Sequence, residues 1–318
     1  MLLQGKSVLV TGGAGFLGSH LVDALVEKGA TVTALDNLTG GTLTNLKRSW
    51  KSVRFIEADV RDREAVAKAV EGQAVVFHLA ANANVPYSVE NPAYDFETNA
   101  LGSYNVFTAC LHHQVERVIF SSSAAIYGNP VYAPMDENHP TNPVSPYGAS
   151  KLAAEKLGLA YFSVYDFPFT AIRVFNTYGE RQRRYVMYDL LSKLNKDPSR
   201  LEVLGDGRQR RDFCYVSDVC RALMCAAESD DAVGGVFNIS GGSPVTIREL
   251  IDLILDLLGT KNTTGLTFTG SSWKGDIADL VGDSTRIKTV LGVSPQVGLG
   301  EGLTNLIRWL NEKSQESL

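Results

Sequence analysis

LVTGGAGFLGSH, residues 9–20, places four glycines within twelve positions directly after an apolar run. A tight turn needs one glycine or two, so the excess asks for another reason. The spacing reads as Gly13-x-Gly15-x-x-Gly18, a dinucleotide fingerprint, or as Gly12-x-x-Gly15-x-x-Gly18, its wider-spaced relative. Between a strand and a helix, such glycines leave backbone N–H groups and the helix dipole open to a pyrophosphate that a β-carbon would hold off. The expected companion is present. Asp36 closes the next apolar run, eighteen residues after Gly18, and its carboxylate can bond both hydroxyls of an adenosine ribose. That carboxylate repels a 2′-phosphate, and no arginine follows directly in DNLTGG, so NAD is expected over NADP.

Outward from this stretch the chain alternates. Apolar runs at 7–10, 31–35, 53–56, 74–79, 117–120 and 170–175 read as buried strands, with helical stretches at 17–28, 63–70, 92–113 and 147–165 between them. Near-continuous apolar strands separated by helices predict an α/β fold, a Rossmann-like doubly wound parallel sheet covered on both faces. Asn91 before Pro92 predicts a capped helix start. After about residue 176 the rhythm loosens, with helices expected at 185–196, 246–258 and 300–311. A Gly205-Asp206-Gly207 turn falls between the strand-like LEVL and RDFCYV segments. The organisation expected is an NAD-binding domain over 1–176, with some later segments contributing, and a smaller C-terminal α/β substrate-binding lobe over 177–318.

Composition narrows the function classes. The 318 residues carry a formal net charge of −5, 44% are hydrophobic, and the mean hydropathy is −0.03. Nonspecific binding to nucleic acid or an anionic membrane is not expected from that charge. No run reaches the roughly 18 apolar residues of a membrane helix, and MLLQGKSVLV lacks the pattern of a signal peptide. Cys110, Cys214, Cys220 and Cys225 form no C-x-x-C pair and read as reduced core residues of a cytoplasmic protein.

Candidate chemistry follows the fifth apolar run. FSSSAAIYG, 120–128, closes it, and SPYGASK, 145–151, follows a proline-rich loop. Tyr147 and Lys151 are four apart and share a helix face. An ammonium near a phenol favours the phenolate, as does a cationic nicotinamide, so Tyr147 is expected to have a depressed pKa and act as a general base on a sugar or alcohol hydroxyl. Ser123 can relay the proton.

The glycine pattern, the LAA of Leu79–Ala81, Asn99, SSSAAIYG, Tyr147-x-x-x-Lys151 and RDFCYVSD together resemble the extended short-chain dehydrogenase/reductase family. The branch most similar is the NAD-dependent nucleotide-sugar 4-epimerases, of the UDP-glucose 4-epimerase type, and the resemblance runs from about residue 5 to 311. It implies an isomerase of carbohydrate metabolism that keeps NAD bound and inverts C4 of a UDP-hexose through a 4-keto intermediate. It assigns Gly12, Gly15, Phe16, Leu17 and Gly18 to the pyrophosphate, Asp36 and Asn37 to the adenosine ribose, and Asp59 and Val60 to the adenine. Leu79, Ala80, Ala81, Asn99 and Ser121 border the route to the nicotinamide, whose ribose Lys151 holds. Ser123 and Tyr147 meet the sugar hydroxyl; Asn176 and Arg211 meet the diphosphate, Val203 the uracil and Asp276 the uridine ribose. No metal is implied, and a homodimer is, built on the helices at 92–113 and 147–165.

Sister enzymes of the resemblance differ at one turn. The 4,6-dehydratases carry an Asp-Glu pair after the strand end, the decarboxylases a glutamate, and the 3,5-epimerases and fucose synthases a cysteine. Here Ala124 and Ala125 stand there and transfer no proton. His139 and Cys214 are the groups that could reach in from elsewhere. The chain also departs from the galactose-pathway pattern: Ala83 replaces a lysine, Val174 and Leu280 replace tyrosines, and Trp273 stands where an arginine contacts phosphate. Those changes imply a wider sugar pocket, open to a 2-acetamido group or a C6 carboxylate. The phosphate contact then falls to Lys274 or to an arginine of the RQRR runs at 181–184 and 208–211. A dehydratase of the same family is the alternative within enzymes, and a non-catalytic NAD-binding sensor or scaffold the alternative outside them.

Overall fold

The computed structural model describes residues 1–270 and 277–316; Trp273, Lys274 and Asp276 lie outside them. The central layer is a seven-stranded parallel sheet. Six strands are β1 (Ser7–Thr11), β2 (Thr31–Asp36), β3 (Val53–Glu57), β4 (Val75–His78), β5 (Arg117–Ser123) and β6 (Phe169–Val174). The seventh, Val236–Ile239, pairs parallel to β6 and comes from far along the chain. Across the sheet the order is Val236–Ile239, β6, β5, β4, β1, β2, β3. The six expected strands are present with ends shifted by a residue or more; the seventh was not foreseen.

Both faces of the sheet are covered because successive side chains alternate. Val8 and Val10 pack in the cluster containing Leu21, Val22 and Leu25 of α1 (Phe16–Glu27), whereas Leu9 between them belongs to the opposite cluster with Val66 of α2 (Arg63–Val70), Val106, Phe107 and Phe120. Such two-sided burial explains the unbroken apolar runs. Strand order reverses between β1 and β4, which sit side by side with Thr11 opposite His78. At such a switch point the carboxyl ends of the strands open a crevice, and the glycine-rich turn after β1 borders it.

The stretch expected as one helix over 92–113 is α4 (Pro92–Phe96), a wider π turn at Glu97–Leu101, and α5 (Gly102–His112). Before it stands α3 (Val85–Glu90), capped by the Asn84 side chain on Tyr87 N. Asn91 makes no side-chain cap, contrary to expectation, because it also ends α3 and its φ of −131° and ψ of 64° hold the chain in the bend between the two helices. The long helix α6 (Pro146–Tyr165) begins one residue before the expected 147: Pro146 opens it and Ser145 accepts from Gly148 N.

After β6 the chain builds short strands and α7 (Tyr185–Lys196) over the carboxyl ends of the sheet. LEVL becomes the strand Arg200–Val203, and RDFCYV becomes Arg210–Arg211 and Phe213–Tyr215, interrupted at Asp212. Thr246 caps the helix Ile247–Leu258 in a reciprocal box with Glu249. The C-terminal helix is Leu299–Glu316. No helix among the described residues is long and apolar enough to cross a membrane.

Candidate active site

A cleft of about 1070 Å³ runs from the glycine-rich turn, past the ends of β4 and β5, to α7 and the short strands beyond it. At one end the three glycines differ in why they must be glycine. A Cβ on Gly18 would stand 2.0 Å from Gly12 O, so that glycine lets α1 pack onto the turn. Gly12 has φ +71° and would bring a Cβ to 2.8 Å from Ala80 N. In front of Gly15 a Cβ would meet only Gly12 O, at 3.1 Å, leaving that space to a ligand. Phe16 and Leu17 line the same end.

Asp36 ends β2 nearly buried, its Oδ2 accepting from Ala14 N at 3.0 Å and Oδ1 from Leu38 N at 2.8 Å. Burial pushes its pKa up while these amides pull it down. Each oxygen keeps a lone pair for a ribose hydroxyl at the cleft wall, so the residue fits an adenosine ribose. Asp36→Ser is expected to weaken NAD binding roughly 10- to 100-fold, the loss of a charge-assisted hydrogen bond of about 1.5–3 kcal/mol. Calorimetric titration reads it, and an unchanged affinity would remove Asp36 from the ribose. Asn37 and Val60 line the cleft; Asp59 does not. Asp59 stands behind Asn37, accepting from its Nδ2 at 2.8 Å and pairing with Arg61, and against the effect of burial those bonds hold its carboxyl at about 2.

Thr11 ties the two strand ends together, its Oγ1 2.7 Å from His78 Nδ1 and accepting from Leu79 N and Ala80 N. That anchors Leu79, Ala80 and Ala81 along the cleft. Asn99 lies behind this wall instead of on it. Its Oδ1 accepts from Asn82 N at 2.7 Å, and its Nδ2 donates to Asp95 and Ser150. The π turn aims it there, and Thr98 of the same turn reaches the cleft with a buried hydroxyl that has no partner.

Ser121, Ser123, Tyr147 and Lys151 meet at the middle of the cleft. Ser123 ends β5, accepts from Ala125 N at 3.2 Å, and lines the cleft with the Tyr147 phenol. Lys151, one turn along α6, is buried, with Nζ 4.1 Å from the centroid of the Phe120 ring. Burial lowers the Lys151 pKa to about 7, against the pull of Asp95 and Glu155. The depressed Tyr147 pKa expected from sequence is not found in the protein's own field. Burial and the Asp95 charge raise it, and the nearby Ser123 hydroxyl offsets them in part. Ala124 and Ala125 form the turn after Ser123 and also line the cleft. Cys214 and His139 do not reach it; the carboxylates on its described walls are Asp36, Asp189 and Glu202, none of which follows β5.

Toward the far end, Asn176, Val203 and Arg211 line the cleft, as do Ala83, Val174 and Leu280. The Asn176 Oδ1 is buried without a partner. Arg211 sits on the middle strand of a small sheet between Val245–Thr246 and Asp279–Leu280, Nη1 donating to the carbonyls of Arg210 and Ala278. Asp276, expected at the uridine ribose, lies outside the described residues. Sequence reasoning missed Tyr185, which opens α7 at φ +72° and donates its hydroxyl to Ala83 O across the cleft. It also missed the tie beneath, where Arg181 pairs with Asp23 of α1 at 2.5 Å and His20 Nε2 lies 2.9 Å from Glu180 O.

A parallel sheet reversing at β1, a glycine turn there, and a Ser-Tyr-Lys group after β5 define a nicotinamide-dependent enzyme of the short-chain dehydrogenase/reductase type. The chain belongs to the NAD dependent epimerase/dehydratase family, whose sequence model matches residues 8–240, and it is a member of the extended branch. A UDP-glucose 4-epimerase from Thermotoga maritima, solved with UDP-glucose, is 34% identical and superimposes with a TM-score of 0.90, covering 97% of this chain and 99% of its own. A UDP-N-acetylglucosamine 4-epimerase from Methanobrevibacter ruminantium, in complex with UDP-N-acetylmuramic acid, is 33% identical with a TM-score of 0.90, over 98% and 99%. A dTDP-glucose 4,6-dehydratase from Streptomyces niveus is 32% identical over 321 residues, 96% of this chain and 93% of its own.

Proposed function

We propose that this chain is an NAD-dependent 4-epimerase of a UDP-hexose, acting on UDP-glucose and UDP-galactose or an N-acetyl or uronic analogue. The observation that carries the reading is the pairing of Ser123, Tyr147 and Lys151 in one cleft with Ala124 and Ala125 on the adjoining turn. The site can take one proton from a hydroxyl and give it back, and the turn after β5 holds no acid to expel water from a neighbouring carbon.

Bound NAD supplies an acceptor and donor of hydride at C4 and a positive charge beside Tyr147. Tyr147 Oη removes the proton of the 4-hydroxyl, directly or through Ser123, as the C4–H bond breaks. Lys151 hydrogen-bonds the nicotinamide ribose and favours the phenolate by its charge. With small side chains at Ala83, Val174 and Leu280, the 4-keto sugar has room to turn, and Tyr147 then returns the proton to the oxygen on the inverted carbon. Asn176 and Arg211 hold the diphosphate and Val203 the uracil, which keeps the nucleotide fixed while the sugar moves.

Purified protein given UDP-glucose, UDP-galactose, their N-acetyl analogues and UDP-glucuronate, without added NADH, tests this by NMR and mass spectrometry. Interconversion at unchanged mass is expected. Loss of one water would select the dehydratase reading, and NAD binding with no turnover the non-catalytic one.

The assembly proposed is a cytoplasmic homodimer. Phe96 is 59% exposed, and Leu101, Tyr104, Val164 and Tyr165 are also exposed on the helices of 92–112 and α6, an apolar surface suited to a second copy. The four cysteines are free. Phe96→Glu is expected to shift sedimentation from dimer to monomer; a dimer of unchanged stability would place the interface elsewhere.

A further inference from the structure

Asp95 lies wholly inside the protein, on α4, and does not border the cleft. Its Oδ1 accepts from Asn82 Nδ2 at 2.8 Å and Asn99 Nδ2 at 3.1 Å, and its Oδ2 from Ser150 Oγ at 2.6 Å. Ser150 precedes Lys151 on α6 and bonds the Tyr147 carbonyl at 3.0 Å, so α4 is stitched to the turn that carries the phenol and the ammonium. No cation pairs with Asp95 at ion-pair distance among the described residues, although a buried carboxylate needs a compensating charge.

The other groups facing Lys151 are already committed. Glu155, one turn further along α6, forms a bidentate pair with Arg173 of β6 at 2.7 and 3.1 Å and accepts from Ser122 of β5 at 2.6 Å. His78 of β4 is held neutral by burial, its pKa near 3, between Thr11 and Ser103. From β5 comes the Phe120 ring. Facing Tyr147 are Ser123, Asp95 and, across the cleft, Tyr185, with Arg184 beside it.

We propose that Asp95 is a positioning residue for catalysis, the buried counter-charge that keeps Lys151 an ammonium and, through Ser150, sets where the Lys151–Tyr147 pair titrates. This rests on the roles given to Tyr147 and Lys151 above. A negative charge there raises the proton affinity of both groups, adding to the effect of burial at Tyr147 and opposing it at Lys151. Asp95 therefore trades a less acidic phenol for a lysine that keeps its proton to higher pH.

The test is Asp95→Asn, which keeps shape and removes charge. In NAD-loaded protein carrying 13C at tyrosine Cζ and lysine Cε, the Tyr147 and Lys151 signals, assigned with Tyr147→Phe and Lys151→Met, should both titrate lower by on the order of one pH unit. Both limbs of the kcat/KM–pH profile should move the same way. A purely structural role would lower the profile without moving it. Should Asp95→Asn not fold, Asp95→Ser removes the same charge with a smaller polar side chain, and shifts in the same direction are expected. Titrations and limbs unmoved within about 0.2 pH unit in the variant that folds overturn the proposal. Wild-type protein that turns over no nucleotide sugar would overturn the epimerase reading, and the NMR titration would still decide the role of Asp95.

Discussion

Tyr147→Phe is expected to lower kcat by about 10³-fold, within the range a positioned general acid–base group contributes, while NAD remains bound. The phenol is the group on the mid-cleft wall to which the proposed reaction assigns the proton transfer, with Ser123 on the same wall. The ring itself is kept in the variant, so the packing of α6 against α3 persists, including the bond from the residue 147 amide to Ser88 Oγ at 3.2 Å. Single-turnover reduction of bound NAD by substrate should fall together with kcat, because both need the same proton removed. Full activity in this variant would exclude Tyr147 as the base.

Glu155→Ala is expected to destabilise the fold by about 3–5 kcal/mol, the cost of leaving one partner of a buried ion pair uncompensated. Glu155 has no exposed surface, and the Arg173 side chain is 4% exposed. Arg173 Nη1 also donates to Tyr127 Oη at 2.9 Å and to Glu137 O at 3.1 Å, so the guanidinium anchors β6, α6 and the 124–137 segment at once. Removing the carboxylate strands a permanent cation, which cannot shed its proton. Urea unfolding reads the loss; a change below about 1 kcal/mol, the size expected of an exposed pair, would mean that water reaches this pair. Replacing both partners by apolar residues is expected to cost much less than either single change.

What the sequence made legible is what local pattern encodes. The glycine spacing, Asp36 at a strand end and the Tyr147–Lys151 interval are short-range relations, and all line one cleft. The six strands of the first half were readable because two-sided burial writes itself as apolar runs. Val236–Ile239 was not, since VFNI is four residues between glycines and a serine, and its pairing with β6 is set by tertiary contact. Asp59 and Asn99 were marked by family pattern, and only the folded chain shows Asn37 bonded to the one and Asn82 to the other. The phenol's proton affinity was misjudged for a similar reason. It is set first by burial and then by a carboxylate fifty-two residues away, Asp95, and no window of sequence displays either.

Where the sheet acquires its last strand matters for how the two halves can move. The chain leaves at Val174, contributes to the roof of the cleft, returns to lay Val236–Ile239 along β6, and leaves again. Severing it near residue 176 would strip β6 of its neighbour and bare a row of unpaired backbone groups, an invitation to aggregate. The roof is thus sewn to the floor at its seams, reinforced by the Arg181–Asp23 clasp and by the bond from Tyr185 to Ala83 O.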